Sequence, residues 1–301
     1  MPTTTQAESP PASTSDCVAD FRRRFLAAID AGQPSPAARR WRASTFERGL
    51  KFVDEVERRS GPLAGKRVLD IGGAHGGYSA AACARGALCT CADMFDYDYA
   101  RLTQILAAPR RFDTRLFDCT NPWPFADHSF DVVMCLAVIE HVQNLDAFFS
   151  ELVRVLRPDG IAILDTATAL RGVRRDPLYQ LPLVSLLPTP LRRAVAVHVF
   201  RRQYEFQLSG HTFYSAGKFK RYLTRRGCTV QACKYADSPL QVRLGRWPLG
   251  RLWQALLRHF AFDFVVIRPR ISPSAEGRTP RVVAGPTACA ESEPPTHHAA
   301  R

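Results

Sequence analysis

VLDIGGAHGGY, residues 68–78, is a short apolar run that stops at a carboxylate and opens into a loop of small residues. Such a run predicts a buried parallel strand, and the loop that follows lies at the strand's carboxyl end. Four glycines within six positions let the backbone approach a ligand closely. Because open α/β sheets bind nucleotides at that edge, the stretch predicts a nucleotide site.

The segment after this loop is compatible with two kinds of nucleotide site. Residues 87–92 predict a second buried strand that ends at Asp93, where a carboxylate can accept hydrogen bonds from both ribose hydroxyls. The spacing Gly72-x-Ala74-x-x-Gly77 also resembles a degraded dinucleotide-binding fingerprint. The loop and Asp93 therefore leave both kinds of site open.

The middle of the chain separates them. Residues 130–136 predict a central strand, and IEHV follows at 139–142. Helical spacing comes next, and RPDG at 157–160 predicts the end of that helix before a strand at 160–165. In these segments, together with the loop and Asp93, the chain resembles the class I S-adenosylmethionine-dependent methyltransferases, especially their small-molecule branch. The resemblance covers roughly residues 44–170 well and 205–268 loosely.

The alternation of strands and helices predicts an α/β fold, a doubly wound and mostly parallel sheet with helices on both faces. The resemblance adds seven strands and an antiparallel C-terminal hairpin. A capping box at Ser44 and Glu47 predicts that the second helix begins there. The predicted helices are 17–31, 44–60, 76–85, 97–107, 144–156 and 218–226, and the predicted strands are 67–71, 87–92, 113–117, 130–136, 160–165, 228–235 and 262–267.

Composition indicates one principal domain. The chain has 301 residues, of which 46% are hydrophobic and 23% charged, as in ordinary globular proteins. We expect a methyltransferase domain at 17–270 between tails at 1–16 and 271–301, which are too polar to stay ordered. Neither a secretion signal nor a run of eighteen apolar residues is seen, which predicts a cytoplasmic protein. Nine cysteines without a C-x-x-C pair predict buried thiols and no metal site.

The charge is concentrated in one part of the chain. Residues 171–270 hold 19 Lys and Arg against 4 Asp and Glu, although the whole chain has a net charge of only +13. Within them, the basic and apolar insertion 170–210 predicts a lid over a small hydrophobic, lipid-linked or glycan-type acceptor, or a contact with an anionic membrane. Nucleic acid is not expected as a partner, because the arginines alternate with Leu, Val and Pro rather than with stacking aromatics.

The resemblance implies a set of cofactor-binding residues for S-adenosylmethionine. The carboxylate of Asp70 and the loop backbone would hold the amino-acid part, Asp93 the ribose, and later residues the adenine and the sulfonium. The alternative interpretations are a helix-capping or loop-structuring carboxylate for Asp70, simple core packing for Met94 and an exposed loop aspartate for Asp118. The implied residues are Asp70, Gly72, Gly73, Ala74, Gly76, Asp93, Met94, Asp118, Cys119 and Leu136.

Two histidines are candidate general bases. His141 follows the fourth strand, and His211 lies where the family brings residues back over the pocket. A neutral imidazole suits proton abstraction from a hydroxyl, although each histidine could instead fix local structure. In the cofactor loop, we expect His75 to face solvent and Tyr78 to pack on the cofactor side.

The sequence therefore predicts methyl transfer from S-adenosylmethionine to a small acceptor, on oxygen. An RNA-directed methyltransferase and a non-catalytic cofactor-binding scaffold are the alternatives. A nicotinamide dehydrogenase is disfavoured, because residues 170–268 do not supply a second mononucleotide half. The sequence identifies neither the acceptor nor the oligomeric state.

Overall fold

A computed structural model describes residues 14–107, 111–142, 144–165, 181, 183–184, 187–201, 216–233 and 264–269. The helices are α1 (Thr14–Ala31), α2 (Pro36–Ser60), α3 (Gly77–Ala84), α4 (Tyr99–Leu106), α5 (Leu145–Val155), α6 (Thr189–Ala194) and α7 (Ala216–Thr224). The strands are β1 (Arg67–Ile71), β2 (Leu88–Asp93), β3 (Phe112–Leu116), β4 (Phe130–Leu136), β5 (Leu156–Asp165), β6 (Cys228–Cys233) and β7 (Phe264–Pro269). A 3-10 turn covers Ile139–His141 and a π-helical turn Val195–Val199.

In the described part of the chain, seven strands form one sheet in the order β3-β2-β1-β4-β5-β7-β6. Strands β1 to β5 are parallel, and β7 is antiparallel to both β5 and β6. The predicted fold class is therefore confirmed, including the C-terminal hairpin. The chain moves outward from β1 to β3 and then returns to β4 on the other side of β1. The edge beyond β1 and β4 is thus the switch point at which such sheets bind ligands.

Alternating strand residues feed two hydrophobic cores, one on each face of the sheet. On β4, Val132 and Met134 pack with α1 to α4, whereas Val133 and Cys135 pack with α5 and α7. The near-continuous apolar character of β4 follows from this burial on both faces. Four of the cysteines predicted to be buried lie in these cores: Cys83, Cys89, Cys91 and Cys135.

The helices α2 and α3 approach each other so closely that two glycines are required. A Cβ atom on Gly77 would lie 1.9 Å from Oγ1 of Thr45, and one on Gly49 would lie 2.9 Å from Cβ of Ala81. Both distances are shorter than atoms can approach. The two glycines therefore set the distance between α2 and α3.

The predicted start of α2 is wrong. The helix begins eight residues earlier, at Pro36, where the Oγ atom of Ser35 accepts a hydrogen bond from the N–H of Ala38 at 3.3 Å. Serine at the cap and proline at the first helical position form a stronger start signal than the predicted capping box. Ser44 lies inside the helix, and its hydroxyl donates to the carbonyl of Trp41 at 2.6 Å.

The segment RPDG ends α5 as predicted, but it is part of β5 rather than a separate turn. Phe130 pairs with Leu156, and Val132 pairs with Ile161, so residues 157–160 bulge out opposite Asp131. Helix α5 ends at Val155.

Several sequence-based expectations lie outside the described residues. These are the order of residues 1–13 and 271–301, most of the 170–210 insertion, and the segment around His211. Helix α1 begins at Thr14, three residues before the predicted position. None of the described helices combines the length and apolar character that a membrane span needs.

Candidate functional site

Two clefts open at the carboxyl edge of the sheet and meet at its switch point. The larger cleft, about 860 Å³, is lined by α2, the loop 72–78 and the ends of β4 and β5. The smaller cleft, about 250 Å³, is lined by the ends of β1 and β2, residues 117–120 and the 3-10 turn. Gly72, Ala74 and Ala137 line both. A ligand with two chemically different ends can therefore occupy both clefts across these three residues.

The loop 72–78 is shaped by left-handed backbone at Gly72 (φ 70°), Ala74 (φ 45°) and Gly76 (φ 73°). A Cβ atom on Gly72 would lie 2.2 Å from Cγ2 of Val138, so only glycine fits there. Ala74 stands in the left-handed region without being glycine, at a cost of about 1 kcal/mol. Gly72, Gly73 and Ala74 line the larger cleft, whereas Gly76 caps the start of α3.

Asp93 ties the end of β2 to this loop. Its Oδ2 atom accepts a hydrogen bond from the N–H of Ala74, and its Oδ1 atom accepts one from the N–H of Phe95, both at 3.1 Å. A carboxylate has about four acceptor positions, so each oxygen keeps capacity for one further donor. Asp93 lines the smaller cleft, where two adjacent hydroxyls of a ligand could donate to it.

Asp70 is a buried carboxyl group at the end of β1 that reaches the larger cleft. Its side chain is 2% exposed and accepts a hydrogen bond at 2.6 Å from the hydroxyl of Ser79. Burial, opposed by the hydrogen bond from Ser79 and aided by the charge of Asp93, raises the pKa of Asp70 to about 7. A cation placed beside Asp70 would favour its ionised form. The position therefore suits the ammonium group of an amino acid.

The structure brings Met94, Asp118 and Cys119 together around the smaller cleft. Met94 is 56% exposed, so simple core packing is the wrong interpretation of this residue. The Oδ1 atom of Asp118 accepts hydrogen bonds from the N–H of Thr120 at 2.9 Å and from its hydroxyl at 2.8 Å. Asp118 therefore structures its loop while it faces the cleft. Burial raises the pKa of the Cys119 thiol to about 12, which keeps it neutral.

Residues at the end of β4 join the two clefts. Leu136 lines the larger cleft. Ala137, which the sequence analysis did not single out, has φ 55° and lines both clefts. His141 lines the smaller cleft, together with Asp93. Burial lowers the pKa of His141, so its imidazole is neutral at neutral pH. His211 lies outside the described residues.

The prediction that His75 faces solvent is wrong. Its ring packs between those of Trp41 and Tyr97, with centroid distances of 6.5 Å and 4.7 Å. Burial, aided by the charge of Arg42, lowers the pKa of His75 to about 4. The early start of α2 explains the difference, because it places Trp41 over the loop. Tyr78 packs edge-on against Phe52 and lines the larger cleft, in agreement with its prediction.

Sequence reasoning missed the side chains that α2 and β5 contribute. Trp41, Arg48 and Lys51 of α2 and Asp165 at the end of β5 line the larger cleft. Burial raises the pKa of Tyr78, while the charge of Arg48 lowers it and those of Asp70 and Asp165 raise it. For the three residues of α2, the sequence signal was their helical spacing on the side opposite the apolar face of that helix.

Comparisons with known proteins agree with this geometry. Residues 69–164 match the family model described as a methyltransferase domain. The ubiquinone biosynthesis O-methyltransferase of Rickettsia conorii is 30% identical over 124 residues, which cover 41% of this chain and 43% of that protein. The demethylmenaquinone methyltransferase of Tropheryma whipplei (strain Twist) is 31% identical over 131 residues, covering 42% and 52%. The chain spans about half the length of these curated relatives.

A solved structure of Burkholderia thailandensis 1,6-didemethyltoxoflavin-N1-methyltransferase, with bound 1,6-didemethyltoxoflavin and S-adenosylhomocysteine, superimposes with a TM-score of 0.45 at 14% identity. The alignment covers 87% of this chain and 91% of that one. The family match at 69–164 includes β1 to β5 but excludes α2, which forms one wall of the larger cleft.

Proposed function

We propose that this chain, which belongs through residues 69–164 to the class I S-adenosylmethionine-dependent methyltransferases of the small-molecule type, methylates a small apolar acceptor. The observation that carries the proposal is the junction of the two clefts at Gly72, Ala74 and Ala137. One cleft offers a carboxylate for a diol, and the other offers a carboxyl group for an ammonium.

The residues at this junction fit the cofactor's groups. In the proposed arrangement, Asp93 accepts hydrogen bonds from the two ribose hydroxyls, and Met94 packs on the adenine in the smaller cleft. Asp70 faces the ammonium of the amino-acid part. The cofactor's carboxylate needs a cation, and Arg48 is a cation of the larger cleft whose charge acts on Tyr78 together with that of Asp70.

When bound, S-adenosylmethionine supplies an electrophilic methyl group on a sulfonium. The chain's contribution is positioning, because displacement requires the acceptor atom in line with the methyl group. Leu136 lines the larger cleft next to the point where the clefts meet, and Ala137 lines both clefts. A neutral imidazole, that of His141 or of His211, then takes the proton of an acceptor hydroxyl.

An apolar acceptor methylated on oxygen is the finer part of the proposal. Two relatives are named as an O-methyltransferase of ubiquinone biosynthesis and as a demethylmenaquinone methyltransferase, which supports an apolar acceptor for this chain. Turnover with labelled cofactor should be compared for His141→Ala and His211→Ala at saturating cofactor. A loss of more than about tenfold in one variant identifies the base. If both retain turnover, a histidine base is excluded.

We also propose that the described part of the insertion rests on an anionic membrane surface. Leu191, Val199 and Phe200 are each about half exposed or more, and the exposed arginines Arg193 and Arg201 flank them. Apolar side chains beside cations are typical of interfacial contact. Co-sedimentation with vesicles of neutral lipid and of 30% anionic lipid tests it. The chain should pellet only with the anionic vesicles, and equal pelleting would contradict the proposal.

The cofactor is tested by thermal unfolding with S-adenosylhomocysteine, NAD and NADP, because a ligand that binds the folded chain raises its melting temperature. We expect only S-adenosylhomocysteine to raise the melting temperature. A shift with NAD or NADP would instead support the dehydrogenase.

The acceptor is tested with labelled cofactor, whose label should be transferred to a small-molecule or lipid extract. Label in RNA would support an RNA-directed enzyme, and binding without any label transfer would support the non-catalytic scaffold.

A further inference from the structure

One face of α2 forms a wall of the larger cleft. Trp41, Thr45, Arg48 and Lys51 follow one another at intervals of four, three and three residues, which places them on one side of the helix. All four line the larger cleft. The wall therefore combines an aromatic ring with two cations one turn apart.

The acids beside this wall are already engaged. Asp54 pairs with Arg85 at 2.6 Å, and the buried carboxylate of Glu55 pairs with Arg58 and Arg59. Asp70 is buried and bound by a serine hydroxyl, as described above. The acids of α2 that line the cleft thus do not neutralise Arg48 or Lys51, and the remaining acid of the lining, Asp165, lies at the end of β5 rather than on α2.

The two cations differ from the other basic residues of the cleft. Among the described residues, Lys51 has no hydrogen bond and no ion pair. Arg48 donates one long hydrogen bond, 3.4 Å, to the carbonyl of Ser44 and lies 5.9 Å from the ring centroid of Trp41. On a flat surface such groups would simply be hydrated, but a cleft with cations on one wall concentrates anions.

We propose that Lys51 forms a subsite for an anionic group, a carboxylate or a phosphate, carried by the apolar methyl acceptor. The inference rests on the proposed function. The cofactor brings one carboxylate into the larger cleft, and one cation, Arg48, serves it. Lys51, one turn farther along α2, is then left for the acceptor.

The size and lining of the cleft agree with this assignment. About 860 Å³ is at the upper end of the volumes that hold drug-sized ligands, so the cleft has room for an acceptor besides the cofactor's amino-acid part. Trp41 is 56% exposed and lies ten residues before Lys51, about 15 Å away along α2, so it can contact the apolar part of an acceptor whose anionic group lies at Lys51. The acceptor is therefore an apolar molecule with a negative group at one end.

Calorimetry with three matched probes tests the subsite. The probes are 2-naphthoate, 2-naphthyl phosphate and neutral 2-naphthamide, each titrated into the full chain saturated with S-adenosylhomocysteine. We expect at least one of the two anions to bind about five to ten times more tightly than the amide. The anion that binds shows whether the natural group is a carboxylate or a phosphate.

Three variants give the controls. Lys51→Met should bring the anions to within about twofold of the amide, Lys51→Arg should keep the preference, and Lys220→Met on α7 should leave it unchanged. The affinity for S-adenosylhomocysteine should be the same in all of them. The subsite is disproved if the wild-type chain does not prefer an anion, if Lys220→Met loses the preference equally, or if Lys51→Met weakens cofactor binding instead. Failure of S-adenosylhomocysteine to bind the wild-type chain would overturn the proposed function itself.

Discussion

Replacing Asp70 by asparagine should stabilise the protein, and the gain should grow with pH. The carboxyl group is buried, with its pKa raised from 3.8 to about 7. The native state thus holds a proton that the unfolded chain has released between about pH 4 and pH 7. Native stability therefore falls as pH rises through that window. An asparagine keeps the acceptor for the Ser79 hydroxyl and has nothing to ionise.

The size of the effect follows from the pKa difference of about 3. At 1.36 kcal/mol for each pKa unit, the ionisable group costs about 4 kcal/mol at pH 8 and about 1.6 kcal/mol at pH 5. The asparagine amide adds a cost for its own unpaired N–H groups, but this cost does not depend on pH. The difference between the two pH values, about 2.5 kcal/mol, is therefore the quantity to measure.

Urea unfolding of the wild type and Asp70→Asn at pH 5, 6.5 and 8 provides the measurement. Asp159→Asn is the matched control, because the side chain of Asp159 is 86% exposed and its replacement should have the same small effect at every pH. The reasoning is refuted if the stability of Asp70→Asn relative to wild type is constant from pH 5 to pH 8, or is greatest at pH 5.

Three further predictions concern the loop and its carboxylates. Asp93→Asn should fold but bind S-adenosylhomocysteine about 10 to 100 times more weakly by calorimetry, since one charged acceptor oxygen is lost; unchanged affinity would contradict the ribose assignment. Gly72→Ala should lower the free energy of unfolding in urea by about 3 kcal/mol, and Gly65→Ala by about 1 kcal/mol. Both glycines have positive φ, 70° and 76°, but of the two only Gly72 has a neighbouring side chain that an added Cβ would meet. Equal losses would show that the loop relaxes. Binding of S-adenosylhomocysteine at pH 6.5 should release about three-quarters of a proton, because Asp70 is largely protonated there and the ligand's ammonium would ionise it. Calorimetry in two buffers of different ionisation enthalpy measures the release, and zero release would remove the ammonium from that position.

The sheet and the cofactor loop could be predicted because their signals are local and mutually consistent. The apolar run before Asp70, the glycines after it and the strand ending at Asp93 specify a βαβ unit through the residues themselves. The seven strands and the antiparallel C-terminal hairpin, by contrast, were implied by the resemblance to the methyltransferases and not by these local signals. Met94 and Asp118 could be located at the same edge, since parallel strands present their carboxyl ends together.

The larger cleft could not be predicted in the same way. Its wall is made by α2, which was predicted to begin at Ser44, whereas the helix begins after the cap at Ser35. Residues 36–43 therefore had no assigned helix, and Trp41 had no assigned position. The burial of His75 follows from that same placement and involves tertiary packing that periodicity does not report.

The tight seam between α2 and α3, where Gly49 and Gly77 leave no room for a methyl group, bears on how this fold could acquire new chemistry. Because α2 packs so closely on α3, it is unable to slide or tilt to accommodate an acceptor of a different shape. Variation would have to come from exchanging outward-pointing side chains while the seam stays untouched. Directed-evolution libraries confined to positions 41, 48 and 51 would therefore test acceptors of different shapes without disturbing the packing of α2 on α3.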